Sequence, residues 1–535
     1  MARASALRAS VRRGGALGVA ERVVNGSFFR SMLWLHGWAG LLAGWLLYAI
    51  FLTGSATYFR SEISHWMRPE LGFSADTKDD AQIADAALRR LGAIGGDAER
   101  WRVTLPNARE PATEIHLWRK SGKEPSFVHE WLDPASGAPS PARATLGGDF
   151  LYYFHFDLQM PSIWGRLLVG FAAIVMLVAL VSGVVAHKRI FADFFTFRPD
   201  ATRQRAWLDG HNIAGVLALP FHLVITYTGL VTLMFLYMPW GIHVAYQGRA
   251  QALLAEAGLV APTPAVSDPA PLAPVAPLLA EARRRWEGGR AGVIDIYRPG
   301  EIGTLIELTR DASETLAYRY DKLRFIGPDG RSIPQSPPSS VVAAHMTMYG
   351  LHVGRFADAA LRAGLFVCGS TATAMIGTGL VLWSVSARRR DTSRIGMFLV
   401  ERLNLGVIVG LPIAVAAYFW ANRLFPSASP GRLLGEPIMF FSTWLAVFLV
   451  SLLPWRRPPW APMLLVAAGA FAALPLADAA AYRNGEIASY DRVFLGFDVA
   501  MAAIGCAFAA TARKLREERT NEKIIDQTSE RELVP

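Results

Sequence analysis

Cysteine is almost missing from this 535-residue sequence, which contains only Cys368 and Cys506. The two residues are far apart, and they form neither a C-x-x-C pair nor the C-x-x-C-H motif that attaches a haem covalently. A disulfide framework, a thiol redox centre and a c-type haem protein are therefore excluded.

Motifs for nucleotide chemistry and for hydrolysis are missing as well. The sequence has no nucleotide-binding loop, no flavin or nicotinamide fingerprint and no recognisable hydrolytic triad. The connections on the basic side of the apolar stretches are too short to hold a dinucleotide-binding domain. An enzyme that depends on a bound dinucleotide and a hydrolase with a catalytic triad are therefore not expected.

Charged residues are also few, at 18% of the chain, whereas hydrophobic residues make up 52% and the mean hydropathy is +0.26. This balance predicts an α-helical polytopic membrane protein. A helix of about 20 residues crosses the hydrocarbon core of a bilayer, and the sequence has about eight apolar stretches of that length. The predicted transmembrane spans are 33–58, 165–187, 209–238 and 361–385, with four further spans within 404–512, at 404–423, 437–454, 460–480 and 493–512.

Arginine and lysine collect at alternate ends of these spans. Examples are "RASVRRGG" before the first span, "HKRIF" after the second, "ARRRDTSR" after the fourth and "RKLREER" after the eighth. Cytoplasmic connections of membrane proteins carry such an excess, so we expect the N-terminal segment 1–32 and the tail 513–535 to be cytoplasmic. The net charge of +10 then reflects topology, and no nucleic-acid partner is expected.

Two long segments, 60–162 and 239–358, fall on the opposite side of the membrane in this topology. Each has an amphipathic helical pattern followed by about three strand-like stretches and a turn, "DPASG" in the first and "GPDG" in the second. We therefore expect two small α+β exterior domains, each with one helix and about three antiparallel strands.

The spans contain an internal repeat. The first and third share the pattern H-x3-G-x12-T-G at a constant separation of 175 residues, and the second and fourth share R-x15-[ST]-G at a separation of 196. The matching positions are His36, Gly40, Thr53 and Gly54 with His211, Gly215, Thr228 and Gly229, and Arg166, Ser182 and Gly183 with Arg362, Thr378 and Gly379. This series predicts a tandem duplication of helix, exterior domain and helix. The glycines suit close packing of helices.

Histidines occupy equivalent places in the two halves of the repeat. His36 and His211 lie at one depth near the cytoplasmic side, whereas His155 and His352 lie just before the second and fourth spans, on the exterior side. Two neutral imidazoles that face each other from different helices are the axial ligands that a b-type haem needs, without a covalent link. We therefore expect His36 and His211 to bind one haem b near the cytoplasmic side.

His222, in "LPFHLVITYTGL", lies in the middle of an apolar run. On a continuous helix it would follow His211 by about three turns on nearly the same face, which suits a second haem on the other side of the bilayer. The first half has Leu47 at the matching position, so the partner of His222 must come from elsewhere. The pairing on the exterior side stays open, with the candidate partners His155, His345 and His352.

Other uses of these histidines compete with haem binding. A polar group inside the membrane is unfavourable unless it is satisfied, so the imidazoles could also serve proton transfer in a transporter or hydrogen-bonded packing between helices. A zinc or copper site ranks lower, because no carboxylate or cysteine accompanies the pairs at ligand spacing. His65, His116 and His129, in the first exterior segment, fit ordinary surface or strand positions.

The stretches "WLHGWAGLLAGWLLYAIFLTGS", "DGHNIAGVLALPFHLVITYTGLV" and "MIGTGLVLW" resemble those of the PepSY-associated transmembrane-helix family, iron-regulated inner-membrane proteins of Gram-negative bacteria. The resemblance covers roughly 30–390, and the exterior segments resemble PepSY modules. It implies a bacterial inner-membrane protein with two b-type haems, similar to ferric-siderophore reductases. The matched histidines are His36, His155, His211 and His352, with His222 in the L-P-F-H segment.

This resemblance implies electron transfer to ferric siderophores or other iron(III) chelates at the periplasmic face, with membrane quinol or a separate reductase as the donor. Arg60, Arg166 and Arg355, near the exterior boundary, could hold haem propionates or an anionic chelate. One alternative is an iron or siderophore transporter or permease component that uses the histidines to bind substrate or protons. A second alternative is a non-catalytic, membrane-anchored binding module. The sequence identifies no catalytic residue.

Overall fold

The computed structural model describes residues 2–72, 79–95, 98–119, 126–186, 198, 202–257, 260, 268–317, 321–335, 337–388, 393–455, 457–487 and 489–532. Within these residues the helices, in chain order, are α1 (Ala2–Thr57), α2 (Arg60–Trp66), α3 (Asp80–Ile94), α4 (Gly148–Asp157), α5 (Ser162–Ala186), α6 (Arg203–Leu217), α7 (Leu219–Thr232), α8 (Met234–Tyr237), α9 (Trp240–Tyr246), α10 (Ala250–Glu256), α11 (Val275–Arg285), α12 (Ser340–Val353), α13 (Ala359–Ala387), α14 (Arg394–Ile408), α15 (Gly410–Leu424), α16 (Arg432–Leu452), α17 (Trp460–Ala472), α18 (Leu474–Arg483) and α19 (Arg492–Glu532).

Seven helices in the described part of the chain are long and apolar enough to cross a membrane. They cover Ser27–Thr57, Ile163–Ala186, Ala359–Ala387, Arg394–Leu424, Arg432–Leu452, Trp460–Arg483 and Arg492–Glu517. A bent pair of helices gives an eighth span if the pair is counted as one, so the multi-pass character predicted from composition is confirmed. The basic segments after the second and fourth predicted spans lie largely outside the described residues.

The third predicted span, 209–238, is not one continuous helix. Helix α6 ends at Leu217, α7 begins at Leu219, and the two axes are bent by 67° at Ala218. Pro220 lies in the first turn of α7 and has no N–H with which to continue the hydrogen bonds of α6, so the helix breaks there. His222 therefore does not follow His211 along one straight helical face, as the sequence analysis assumed.

The strands of the two exterior segments form one antiparallel sheet. They are β1 (Ala98–Thr104), β2 (Thr113–Arg119), β3 (Ser126–Leu132), β4 (Ala291–Tyr297), β5 (Leu305–Arg310), β6 (Lys322–Ile326) and β7 (Arg331–Ile333), in the order β3-β2-β1-β4-β5-β6-β7. The sequence predicted two separate domains with about three strands each, whereas the second segment has a short fourth strand and β1 pairs with β4. That pairing satisfies the backbone groups of two strands that would otherwise be exposed edges.

Helices α3 and α11 pack together on one face of this sheet. Leu91 of α3 and Leu278 of α11 are buried in a core that they share with Leu117 and Ile294 of the strands. On the opposite face, cross-strand partners form a row of polar side chains, because directly opposed residues share a face. From β3 to β6 the row contains His129, His116, Arg102, Asp295, Glu307 and Arg324.

The four C-terminal spans are part of the same helical bundle as the first spans. Trp45 of α1 donates its indole N–H to Asn404 of α14 at 2.8 Å. Trp66 of α2 donates to Asp478 of α18 at 2.5 Å, and the same carboxylate forms an ion pair with Arg423 of α15. These polar contacts tie the C-terminal spans to α1 and α2.

We expect Asp478→Ala to destabilise the protein strongly. Removing one partner of a buried ion pair lowers the free energy of unfolding by about 3–5 kcal/mol, and the side chains of Arg423 and Asp478 are only 4% and 0% exposed. Thermal unfolding of the detergent-solubilised protein measures the change. Glu517→Ala is the control, because Glu517 and Arg513 form an exposed pair, and such pairs contribute about 0–1 kcal/mol. Equal melting temperatures for the two variants would contradict the prediction.

Candidate functional site

The structure brings together the first pair of histidines that the sequence predicts. His36 on α1 and His211 on α6 have ring centres 6.1 Å apart, and their ring planes are inclined at 62°. His36 Nδ1 lies 2.9 Å from the carbonyl oxygen of Ala179 on α5. His211 Nδ1 lies 2.8 Å from the carbonyl oxygen of Met375 on α13. Each ring is therefore held by a neighbouring helix, and the two halves of the chain meet at this pair.

A second pair is formed by His155 on α4 and His352 on α12, whose ring centres are 6.0 Å apart and whose planes are inclined at 23°. His155 Nδ1 lies 2.8 Å from the carbonyl oxygen of Ile50 on α1. His352 Nδ1 lies 3.1 Å from the carbonyl oxygen of Ile225 on α7. Ile50 lies 14 residues after His36 on α1, which is about 21 Å of helix, so the two pairs are near opposite ends of the same bundle.

The hydrogen bonds to the backbone determine which ring nitrogen is protonated. A carbonyl oxygen accepts hydrogen bonds and cannot donate them, so Nδ1 donates in each of these four rings. In a neutral imidazole the other nitrogen, Nε2, then has a lone pair. Histidines that ligate metals have this arrangement, since a carbonyl or carboxylate that accepts the second ring N–H orients the ring. Nε2 is therefore the ring nitrogen that could bind a metal ion in each of the four histidines.

Each of the four imidazole rings packs on a glycine of a neighbouring helix. A Cβ atom at any of these glycines would lie only 2.5–3.0 Å from an imidazole atom, so a larger residue would displace the ring. The contacts are His155 on Gly54, His36 on Gly183, His352 on Gly229 and His211 on Gly379. The sequence predicts close packing of helices at these glycines, whereas in the structure an imidazole occupies the space.

The carbonyl that holds each ring lies four residues before the glycine. The carbonyl and glycine pairs are Ile50 and Gly54, Ala179 and Gly183, Ile225 and Gly229, and Met375 and Gly379. In an α-helix such a carbonyl accepts the N–H of the glycine, and its second lone pair can accept the imidazole N–H. The serine or threonine before each glycine donates its hydroxyl at 2.7 Å within its own helix. We call this carbonyl and [ST]-G unit the imidazole-docking motif.

His222 is not brought next to another histidine by the hydrogen bonds and ring contacts of the described residues. Its side chain is fully buried, and Nε2 lies 3.5 Å from the hydroxyl of Thr371 on α13. The structure pairs His155 with His352 and packs His345 against Phe235, so none of the three predicted partners meets His222. The bend at Ala218 also removes the alignment of His222 with His211 on which its predicted ligand role was based, because it turns α7 away from the axis of α6.

The three arginines predicted near the exterior boundary have different surroundings. Arg60 forms an ion pair with Asp149 at 2.5 Å and lies over the ring of Tyr152. Arg166 lies over the ring of Phe156, with 5.1 Å between its guanidinium carbon and the ring centre. An anion at Arg60 would therefore compete with a carboxylate that is already bound there. Arg355 is also engaged in a polar, ionic or ring contact.

A third group of titratable side chains was missed by the sequence analysis. Glu114, His116 and His129 have ligand atoms that all lie within 4.8 Å of one another. The signal in the sequence was the spacing of Glu114 and His116, since alternate residues of a strand share a face. The proximity of His129 depends on the register between β2 and β3, which the sequence pattern does not determine. His65 lies elsewhere, 2.7 Å from Asp491.

Comparison with known proteins gives a family and one relative. Residues 33–385 match the family described as the PepSY-associated TM region. The matched range includes all five of the predicted haem-ligand histidines and both exterior segments. An uncharacterized protein of Pseudomonas aeruginosa, PA4219, is 27% identical over 330 residues, which cover 57% of this chain and 80% of that protein.

Proposed function

The chain belongs to the PepSY-associated TM region family, and on that premise we propose that it is a membrane electron-transfer protein with two b-type haems. The proposed reaction is the one-electron reduction of iron(III) in ferric siderophores or related chelates, at the periplasmic face of a bacterial inner membrane. The observation that carries this proposal is the presence of two histidine pairs with ring centres 6.1 and 6.0 Å apart.

This spacing fits two imidazoles that share one metal ion. A bond between an imidazole nitrogen and a metal is about 2 Å long, so two such nitrogens on opposite sides of an iron are about 4 Å apart. The ring centres lie about 1 Å further out on each side, which gives a separation of about 6 Å. In each pair the two histidines come from different halves of the chain. Each ring donates its Nδ1–H to a carbonyl oxygen, as metal-ligating histidines typically do.

The proposed roles of the residues follow from these contacts. His36 and His211 would hold one haem near the cytoplasmic side, and His155 and His352 a second near the periplasmic side. A haem held by two imidazoles supplies reversible one-electron exchange. The four imidazole-docking motifs maintain the ring orientation and the tautomer, and their occurrence in both halves supports the tandem duplication. His222 is assigned no haem ligand role in this proposal.

The proposed substrate follows from the chemistry of iron. Reduction converts iron(III), which binds hard oxygen donors tightly, into iron(II), which they hold less strongly, and the iron is released from its chelator. The electron donor is proposed to be membrane quinol or a separate reductase, because the sequence has no nicotinamide or flavin fingerprint. The distribution of arginine and lysine supports cytoplasmic termini and a periplasmic sheet.

A second candidate function is the transport of iron or a siderophore. Broken membrane helices line substrate and ion sites in many secondary transporters. The 67° bend between α6 and α7 lies four residues before the buried His222, which has no histidine partner among the described residues. In this alternative the membrane histidines bind substrate or protons, and the purified protein contains no haem.

The optical spectrum of the purified full-length protein tests the proposal. We expect a Soret band, sharp alpha bands after reduction with dithionite, and about two haems per chain in a pyridine haemochrome assay. A ferric siderophore should then re-oxidise the reduced protein, with one iron(III) reduced for each haem oxidised, and the iron-free siderophore should not. A colourless protein from cells with ample haem would contradict the proposal and favour the transporter.

A further inference from the structure

The side chains of Glu114, His116 and His129 converge on the polar face of the sheet. Glu114 and His116 are two residues apart on β2 and therefore point to the same side. His129 on β3 lies directly opposite His116, and the two ring centres are 4.7 Å apart. Both imidazoles contact one carboxylate oxygen, since Glu114 Oε1 lies 3.2 Å from His116 Nε2 and 2.9 Å from His129 Nε2.

We propose that Glu114, His116 and His129 bind a divalent first-row transition-metal ion, such as Zn²⁺ or Fe²⁺, and leave at least one coordination position for water or a ligand. Two imidazoles and one carboxylate are a donor set that binds such ions in other proteins. This site is made of different residues from the histidine pairs in the membrane bundle, and it does not depend on haem binding.

The distances between the three groups fit a shared metal ion. Metal bonds of about 2.0–2.2 Å to nitrogen and oxygen in tetrahedral geometry place the ligand atoms about 3.3 Å apart. Two of the three separations are already 2.9 and 3.2 Å, and all ligand atoms lie within 4.8 Å of one another.

The donor set of the cluster also suits a cation, because a carboxylate and two neutral imidazoles each offer a lone pair to a metal ion. The side chains of Glu114, His116 and His129 keep 24%, 18% and 31% of their surface exposed, which gives an ion and its water ligands access to the cluster.

Aromatic side chains on both strands restrict the two imidazoles. His116 packs against Trp118 at 5.6 Å and Phe127 at 5.3 Å between ring centres. His129 packs against Trp131 at 5.1 Å. Such packing limits the rotation of the rings and reduces the entropy lost when a metal ion binds. β3 is the outer strand of the sheet, so no further strand of the described sheet covers the cluster on that side.

Zinc titration of the full-length protein tests this proposal. The protein is purified through a tag that contains no histidine, stripped with a chelator, and titrated with Zn²⁺ by isothermal calorimetry, with metal content determined by mass spectrometry. We expect one Zn²⁺ per chain that is lost, or bound at least about 100-fold more weakly, in His116→Ala, His129→Ala and Glu114→Gln. His243→Ala is the matched control, because His243 is exposed and lies outside the cluster.

Three outcomes would overturn the proposal. They are the absence of Zn²⁺ binding by the unaltered protein at micromolar concentrations, equal binding by the three cluster variants, and equal weakening in His243→Ala. In the first case the triad would be a hydrogen-bonded group without a metal function. Haem content is measured on the same samples, so a failure of the haem proposal is distinguishable from a failure of this one. Glu114→Gln keeps the shape of the side chain and guards against loss of binding through misfolding.

Discussion

Loss of one haem, with retention of the other, is the expected result of His211→Ala. The substitution removes one of the two axial ligands proposed for the cytoplasmic-side haem and leaves the 6.0 Å pair of His155 and His352 unaltered. Haem content in the pyridine haemochrome assay should fall by about half. His36→Ala should cause the same loss, and the double variant should lose no more than either single variant, because both residues act on one iron.

The reciprocal variants and a matched control complete this test. His155→Ala or His352→Ala should remove the other half of the haem. His345→Ala is the control, because His345 lies on the same helix as His352 but packs against Phe235, with 5.3 Å between ring centres. Full haem content in His211→Ala would contradict the assignment of the first pair. A similar loss in His345→Ala would show that the assay reports general destabilisation.

The sequence predicted the equivalence of the histidines but not all of their pairing. The constant separation of 175 residues between His36 and His211 placed them at one depth on equivalent helices, and the structure brings their rings together. The pairing of His155 with His352 stayed open because both lie outside the exact repeats, on short helices whose orientation depends on tertiary packing. The burial of His222 in an apolar run predicted a ligand role, and among the described residues the contact of its Nε2 is with the hydroxyl of Thr371.

A structural feature that depends on one residue can be predicted from the sequence, whereas a feature that depends on long-range pairing cannot. Pro220 could have marked the break between α6 and α7, since proline removes a helical hydrogen bond, but the apolar run around it predicted one span. The formation of one sheet by the two exterior segments could not be predicted from any single residue. It depends on the pairing of β1 with β4, whose residues are about 190 positions apart, and backbone hydrogen bonds have no residue signature.

The repeated [ST]-G pairs were visible in the sequence, but their role in holding the imidazole rings was not. Small residues in membrane helices are most often explained by helix packing, so Gly54 and Gly183 were assigned to that purpose. Only the structure shows that each glycine lies four residues after a carbonyl that accepts an imidazole N–H from another helix. A histidine paired with an [ST]-G motif of a different span is therefore the pattern to search for in related chains.

Gly54→Ala is expected to disturb the haem proposed at His155 and His352, although it alters neither of the proposed ligands. The added Cβ would lie 2.5 Å from His155 Nδ1, so the ring must leave its hydrogen bond to the carbonyl of Ile50. Loss of a group that orients a metal ligand typically weakens metal binding about 10- to 100-fold. The optical and electron paramagnetic resonance spectra should show conversion of one haem from the low-spin to the high-spin form, with the His36 and His211 haem unchanged.

Gly469→Ala is the matched control, because Gly469 is an exposed residue of the membrane helix α17, away from both histidine pairs, and a Cβ there would meet no atom within 4 Å. Alanine is the better helix former by up to about 1 kcal/mol, so neither substitution should weaken its own helix. Low-spin spectra for both haems in Gly469→Ala, together with one high-spin haem in Gly54→Ala, would assign the effect to the imidazole-docking motif. If Gly54→Ala kept two low-spin haems, His155 would have to bind without its contact to Gly54, and the motif would not be what positions this ring.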